Sequence, residues 1–353
     1  MINGYMLDRV NGTIRWAVYP VLFFILTEVR AQVLPPNDES SIFSQFHNVV
    51  KANKKLQFVG SGLNVDDGTA TWQVFEAQMA PQYLIYRGRD ANKNWLKKGL
   101  ITFTPVVVLR MYNLESFPVR PPNFNPEFDF YYFLNNVGKA PENNRVFRYA
   151  ELRIAHFSNG QQDPFFSPNT NDVDLKNGTF STNYYQAGFT QSGYVNGKSV
   201  LLDSALLSFS IFYRNDWELK NSPLTIEENL RHRYALQRFN FIVQLRTKNI
   251  SQGTYEYNVH KYNRHISYLF RLENEIHLGD MSLFPGDKKH RLGITFTAAM
   301  YPANWRMFGF FASFYHGRDY YNIRFHRVIS FVQAGFTVDF DKFKPLNHRF
   351  AGM

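Results

Sequence analysis

A histidine and a serine two residues apart, His156 and Ser158, are the side chains in this sequence that could do chemistry together. Residues two apart in a β-strand share a face, so the imidazole could take the proton of the serine hydroxyl as a general base. Such a pair needs a third group that holds the imidazole in its useful tautomer. Asn183 is the candidate, because its side-chain oxygen can accept the Nδ1 proton without adding a charge. These residue types indicate acyl transfer to a serine.

The segment around the pair predicts which way it points. Leu152 and Ile154 share a face with His156 and Ser158, and both are apolar. The same alternation places Asn183 on the outward face of the next strand. Polar groups on a lipid-facing wall cost free energy unless they bond each other or lie near the interface. We therefore expect the site on the outer wall of a barrel, at the depth of lipid headgroups.

An ordinary alternative exists for this segment. The residues after the serine, Asn159-Gly160, are typical of a tight turn. On that interpretation the histidine and serine are surface residues beside a turn and have no catalytic role.

Composition predicts an all-β fold, a transmembrane antiparallel β-barrel of about 12 strands. Aromatic residues make up 17% of the chain, while the mean hydropathy stays negative at −0.35. Apolar side chains are thus dispersed among polar ones, as in strands that alternate between lipid and lumen. Bacterial barrels have even strand numbers, so a twelfth strand is expected in the N-terminal extension or the long final segment. The eleven alternating stretches lie near residues 81–88, 98–112, 124–137, 146–160, 180–191, 199–214, 232–247, 265–279, 290–301, 305–316 and 322–340.

The chain divides into four predicted parts. Residues 1–32, with two arginines before an apolar run, indicate a signal peptide, although an N-terminal anchor is the alternative. Residues 33–76 are predicted to form a polar N-terminal extension, periplasmic or lumen-facing, with at most one strand near 56–65. Residues 77–341 are predicted to form the barrel and 342–353 a C-terminal tail. Export and a barrel together indicate the bacterial outer membrane.

Several functional classes are disfavoured. The chain has no cysteine, which excludes disulfides and thiolate metal sites. Its net charge of +10 is scattered along the strands without a recognition motif, which disfavours nucleic acid and suits an anionic membrane surface. The other histidines lack zinc-like spacing, and no phosphate-binding glycine loop or dinucleotide fingerprint occurs.

The surroundings of the pair resemble the outer-membrane phospholipase A family. That family's signature is His-x-Ser-Asn-Gly, followed after two further residues by Asp-Pro, and this chain has both at 156–160 and 163–164. The stretch 116–126 is similar to the family's Ser-x-Pro-x-Arg-x-x-Asn-aromatic-x-Pro segment. The residues 83–86 resemble its first strand, and 315–340 its last two strands.

The resemblance implies roles for individual residues. Ser158 would be the nucleophile, His156 the general base and later acid, and Asn183 the residue that orients the base. It also implies a homodimer with calcium bound where two barrels meet, which helps to polarise the oxyanion, with the backbone N–H of Ser158 sharing that load. The matching calcium positions in this sequence are Ser116, Gln161, Asp163 and Ser167.

The sequence departs from the family at the calcium positions. Gln161 stands where the family has arginine, and Phe166 falls where the family has a second calcium-site hydroxyl, with Ser167 beside it. The loop 165–180 is also longer than expected. Calcium is therefore the part of the resemblance with the fewest matching residues.

We expect an outer-membrane phospholipase that hydrolyses acyl esters of glycerophospholipids, with calcium and dimerisation as activators. Its partners would be membrane phospholipids, outer-membrane lipids and a second copy of the chain. Two alternatives remain open. One is a lipid A deacylase, a barrel with His-x-Ser-Asn but without the Asp-Pro continuation. The other is a non-catalytic channel or structural barrel whose site is inactive.

Overall fold

The computed structural model describes residues 46, 49–66, 69–87, 98–115, 118–134, 146–168, 172–195, 205–217, 228–247, 250–257, 260–283, 290–302 and 308–338. Within these ranges no helix is long and apolar enough to cross a bilayer. The strands are β1 Gln57–Asp66, β2 Thr69–Met79, β3 Tyr83–Arg87, β4 Gly99–Tyr112, β5 Asn123–Phe133, β6 Val146–Ser158, β7 Ser181–Val195, β8 Ala205–Trp217, β9 Gln237–Thr247, β10 Ile250–Tyr257, β11 His260–His277, β12 Leu292–Tyr301, β13 Phe308–Arg318 and β14 Val328–Val338. A one-turn helix, Glu228–Arg231, and a 3-10 turn, Asn322–His326, lie in connections between strands.

The strands form one antiparallel sheet that closes on itself. Its order is β9, β11, β12, β13, β14, β1, β2, β4, β5, β6, β7, β8 and back to β9. β3 continues the line of β2 against β4, and β10 continues the line of β9 against β11. The wall therefore has twelve positions, which confirms the predicted all-β antiparallel barrel of about 12 strands. Closure pairs both edges of the described strands along the ring, while β3 and β10 are each paired along one edge.

Side chains alternate between the two faces of this wall, except at register shifts such as that between Gln73 and Phe75 in β2. In β14, Val332 and Phe336 are 56% and 54% exposed on the outside, while Gln333 and Thr337 are buried inside. β12 follows the same rule, with Phe296 outward. Both strands thus show the lipid and lumen alternation that the sequence predicts for the barrel. The barrel has an apolar exterior and a polar interior.

Buried charges in the interior are paired. Arg110, fully buried on β4, donates to Glu76 on β2 at 2.6 Å and to Asp319, which follows β13, at 2.9 Å. Arg153 on β6 pairs with Asp129 on β5 at 2.5 Å. A buried charge without a partner would cost several kcal/mol, roughly 3–5. These pairs therefore hold neighbouring strands in register from within.

Apolar clusters fill both ends of the lumen. We call the end at which β6 finishes the upper end, and the end at which it starts the lower end. At the lower end Phe46, Val49 and Val50 pack among six inward side chains: Leu100, Tyr131, Phe133, Phe147, Tyr149 and Leu206. At the upper end the connections fold inward around a second cluster that includes Phe157, Phe165, Phe180, Tyr234, Met281 and Phe325.

The barrel begins earlier than the sequence indicated. β1 and β2 are wall strands, so the boundary at residue 77 is too late. The described residues before β1, which include the helical residues 46 and 49–52, form a lumen-facing extension. β1 is the missing twelfth strand, whereas β2 was not predicted. β10, within 250–257, was also missed. The predicted signal peptide, 1–32, and tail, 342–353, lie outside the described residues.

Glycines weaken the strand pattern of β1 in the sequence. Gly60 and Gly62 on β1 face Gly335 and Gln333 on β14, where the first and last strands meet. A Cβ on Gly335 would lie 2.2 Å from the carbonyl oxygen of Val59. Glycine weakens the strand signal in a sequence. At this seam it permits the close approach that closes the barrel.

We expect Gly335→Val to destabilise the barrel by about 1–3 kcal/mol, because the added side chain would collide with the β1 backbone. Urea unfolding of the refolded protein, followed by tryptophan fluorescence, would measure it. The control is Ala334→Val, which also introduces a valine but on the exposed outer face one residue away. Equal losses in the two variants would contradict this account of the seam.

Candidate active site

The three predicted catalytic residues lie together on the outer wall near the upper end. The register of β6 and β7 places His156 opposite Asn183, and Ser158 opposite Ser181. The inward neighbours on β6, Ala155 and Phe157, are buried in the upper cluster. His156 and Ser158 therefore point outward, on the face predicted from their alternation.

A hydrogen bond joins the histidine to the asparagine. His156 Nδ1 and Asn183 Oδ1 are 2.9 Å apart. An amide oxygen can only accept, so the proton sits on Nδ1 and the neutral ring keeps a lone pair on Nε2. That is the tautomer in which imidazole takes a proton from a hydroxyl. The hydrogen bond therefore leaves the Nε2 lone pair available to accept a proton.

The asparagine is sheltered although it points outward. Asn183 is 5% exposed, and its partner in the register of β8 is Trp217. The Trp217 ring also packs against Tyr185, with ring centroids 5.7 Å apart. These aromatic rings border the amide on the side away from His156. The bond to the histidine is therefore partly protected from competing water.

The other side of the site is formed by β5. Phe124 pairs with Ser158, and Glu127 pairs with Ala155. In this register Pro126 lies opposite His156, although the two strands are not paired at that position. Proline has no N–H to donate to the ladder. Phe124 is exposed on the same outer face, as is Ile154 on β6. The serine therefore stands at the end of an apolar surface.

Asn159 has a role that the sequence analysis did not find. It is buried, and its Nδ2 donates to the carbonyl of Gly178 at 2.8 Å. Its Oδ1 accepts from the backbone N–H groups of Phe180 at 3.0 Å and Gln161 at 3.2 Å. Gly160 then takes a φ of +65°, a conformation that favours glycine. The Asn-Gly pair is thus no two-residue hairpin. It ties the end of the catalytic strand to the start of β7.

The predicted calcium ligands are dispersed where they are described. Ser116 lies outside the described residues. Asp163 is exposed, and its carbonyl accepts the N–H of Thr179 at 2.8 Å. The N–H of Ser167 donates to the carbonyl of Asp172. In the part of the chain that the structure describes, no three acidic or histidine side chains are placed to hold a metal ion.

Gln161 has cationic neighbours. It lines a surface cleft together with Arg120 and Lys176. Calcium takes six to eight oxygen ligands, many of them carboxylates, and two positive side chains would repel it. The described residues of one chain bring no group of carboxylates to Gln161, and the calcium dependence stays a prediction.

A second outward histidine and serine occur on the opposite side of the wall. His316 on β13 faces Ser330 on β14, with Nδ1 and Oγ 2.9 Å apart. Both strands place these residues outward near the upper end. Here Nδ1 contacts the serine itself, whereas in the first pair Nδ1 is held by an amide. The two pairs share residue types but differ in their hydrogen bonding.

Fold and site together define a closed twelve-position β-barrel with a histidine, an asparagine and a serine on its outer wall. No protein-family model matches the chain, and no curated protein matches its sequence. Among solved structures, it is similar to outer membrane phospholipase A from Escherichia coli, with 10% identity, a TM-score of 0.46, and coverage of 80% of this chain and 92% of that one.

Two further solved structures are similar to this chain, with lower TM-scores. The calcium-bound outer membrane phospholipase dimer of Salmonella typhi has 10% identity and a TM-score of 0.44, over 80% of this chain and 90% of that one. The β domain of the Bordetella autotransporter Brka has 8% identity and a TM-score of 0.35, over 81% and 98%. At these identities the likeness concerns barrel architecture and does not extend to activity.

We expect Asn183→Ala to lower kcat on an acyl ester by about 10–100-fold, because the imidazole loses the group that sets its tautomer. Asn183→Asp keeps an acceptor in place and should recover part of the loss. The matched control is Asn215→Ala, on the outward face of β8 opposite Tyr185. The assignment would be wrong if the Asn183 and Asn215 variants had equal kcat values.

Proposed function

We propose that this protein is an outer-membrane lipid acyl hydrolase of the phospholipase type, with Ser158 as nucleophile. The observation that carries the proposal is the bond between His156 Nδ1 and Asn183 Oδ1, on the same outer face as the serine. A histidine without a catalytic role could form its hydrogen bonds in either tautomer. This one is held with Nε2 available as a base.

The surface of the barrel supports a place in a membrane. A closed sheet satisfies its own backbone hydrogen bonds, which is required in a bilayer. Large apolar side chains are exposed around the wall on many strands, among them Val59, Trp72, Phe128, Leu152, Ile211, Phe241, Phe270, Phe296, Phe314 and Phe336. Water would penalise so broad an apolar surface, whereas acyl chains would not.

The position of the site supports an ester as substrate. Ser158 is the last residue of β6, and polar loop residues follow it. Phe124 and Ile154 extend the apolar wall beside it. A lipid whose acyl chain lies along this wall would bring its ester bond to the serine, because the ester lies where hydrocarbon meets the polar headgroup.

The chemistry would proceed in two balanced halves. Ser158 Oγ attacks the ester carbonyl carbon while His156 Nε2 takes the hydroxyl proton. The tetrahedral intermediate collapses, the C–O bond of the ester breaks, and the histidine gives the proton to the departing alcohol. Water then attacks the acyl-serine carbonyl while His156 takes a water proton. The bond from the acyl carbon to Ser158 Oγ breaks, the histidine returns the proton to Oγ, and a fatty acid leaves. Asn183 stabilises the imidazolium that forms in each half.

The side chains inside the barrel favour an activity on its outer wall over transport through a channel. The lower end is filled by the cluster around Phe46, and the upper end by the cluster around Phe180. Between them, buried ion pairs such as Arg110 with Glu76 cross from strand to strand. A water-filled pore through the described part of the barrel would require these contacts to open.

We expect Ser158→Ala and His156→Ala to abolish fatty-acid release from phospholipid in detergent, because the nucleophile or its base is lost. The matched controls are Ser330→Ala and His316→Ala, which remove the other outward pair at the same end of the barrel. They should keep wild-type activity. Unchanged release in a folded Ser158→Ala variant would refute the proposal.

Calcium dependence and dimerisation are one linked part of the proposal. One chain does not assemble the ion site in its described residues, so a second copy would have to complete it. We expect calcium to stimulate hydrolysis only at protein concentrations at which sedimentation shows a dimer, while the monomer responds neither to calcium nor to a chelator. Calcium stimulation of a monomer would contradict this link.

A further inference from the structure

A basic cleft lies beside the proposed nucleophile. It has a volume of about 310 Å³ and opens between the segment before β5 and the turn before β7. Its polar lining consists of two cations and two amides, with no carboxylate. Its lining residues are Val119, Arg120, Pro121, Pro122, Gln161, Lys176 and Asn177.

Both walls of the cleft connect to the residues around Ser158. On one side, Pro122 is two residues before Phe124, which pairs with Ser158 across the sheet. On the other side, Asn159 holds the carbonyl of Gly178, and the turn before that glycine carries Lys176 and Asn177. At about 3.3 Å per extended residue, both walls begin within roughly 10 Å of the serine.

Arg120 forms no ion pair with a carboxylate in the part of the chain that the structure describes. Its Nε is buried and has no hydrogen-bond partner among the described residues. Its guanidinium lies 5.3 Å from the centre of the Tyr112 ring, which holds it in place. Burial lowers the pKa of Arg120, and the nearby Arg324 and Arg327 lower it further. The local field is therefore positive and favours an anion.

The turn that carries the lysine is ordered by an aspartate. Asp174 Oδ1 accepts the backbone N–H groups of Lys176 and Asn177, each at 3.0 Å. Its carboxylate is thereby engaged with the backbone of the turn and does not line the cleft. The turn presents the two side chains next to the guanidinium.

We propose that this cleft binds the phosphate group of the lipid substrate, with Arg120 as its main ligand. The inference rests on the proposed function, because the phosphate is placed there by a lipid whose ester lies at Ser158. A guanidinium is suited to phosphate through paired charge-assisted hydrogen bonds. One glycerol unit joins the phosphate to the acyl ester, which matches the short separation of cleft and serine.

The test compares two substrates with the same acyl chains. Purified full-length protein is assayed on short-chain phosphatidylglycerol and on the matching diacylglycerol, which lacks phosphate. Arg120→Gln should raise KM for phosphatidylglycerol about tenfold and leave kcat and the KM for diacylglycerol within twofold. Lys176→Gln should act in the same direction. Arg148→Gln, which removes an exposed arginine at the lower end of β6, is the control and should change neither substrate.

A binding measurement separates this inference from the proposed function. Ser158→Ala protein is titrated calorimetrically with short-chain phosphatidylglycerol below its micelle concentration, and with inorganic phosphate. Weakened lipid binding after a further Arg120→Gln change supports the inference even if the wild type hydrolyses nothing. Inorganic phosphate binding as tightly as the lipid would overturn the headgroup assignment. So would an Arg120→Gln variant that matches its parent on both substrates and in the titration.

Discussion

Closure of an antiparallel sheet is the constraint on which the rest of this structure depends. Twelve strand positions close into a ring, so every wall side chain must point either into the lumen or out. Inside, charges are desolvated and must pair, as Arg110 and Arg153 do. Outside, apolar residues dominate. An outward polar group is therefore an exception that needs a partner, and His156 with Asn183 is such a pair.

The site is precise because it is built on strands and not on a loop. Direct cross-strand register brings His156 to Asn183 without any loop having to fold around them. Asn159 then ties the strand end to the start of β7. The pair of His316 and Ser330 uses the same geometry on other strands but has a serine where the first has an amide. The outer wall therefore carries two histidines with different hydrogen bonds. The bond to an amide oxygen distinguishes His156, the proposed base, from His316.

Alternation made the faces of the wall predictable from the sequence. The outward direction of His156, Ser158 and Asn183 depends only on parity within regular strands, and so it could be predicted. β2 was not predicted, because a register shift between Gln73 and Phe75 breaks its alternation. β1 was predicted only as a single strand of the extension, because its glycines weaken the pattern and the reason for them is a neighbour far away in the sequence. The task of Asn159 was missed for a similar reason. Its partners, Gly178 and Phe180, lie beyond a loop whose path no local rule describes.

The charges around the site suggest how a flank without a deep pocket could select its ligand. An apolar wall binds any acyl chain, so it cannot distinguish one class of lipid from another. Selectivity has to come from polar groups at the level where the wall ends. There the chain places Arg120 and Lys176 near Gln161, and no described carboxylate lines the cleft that they share. Positive charge fixed on the protein attracts phosphate at that level and repels a free cation. Headgroup recognition and metal binding by this cleft are thus opposed, and its charges favour the headgroup.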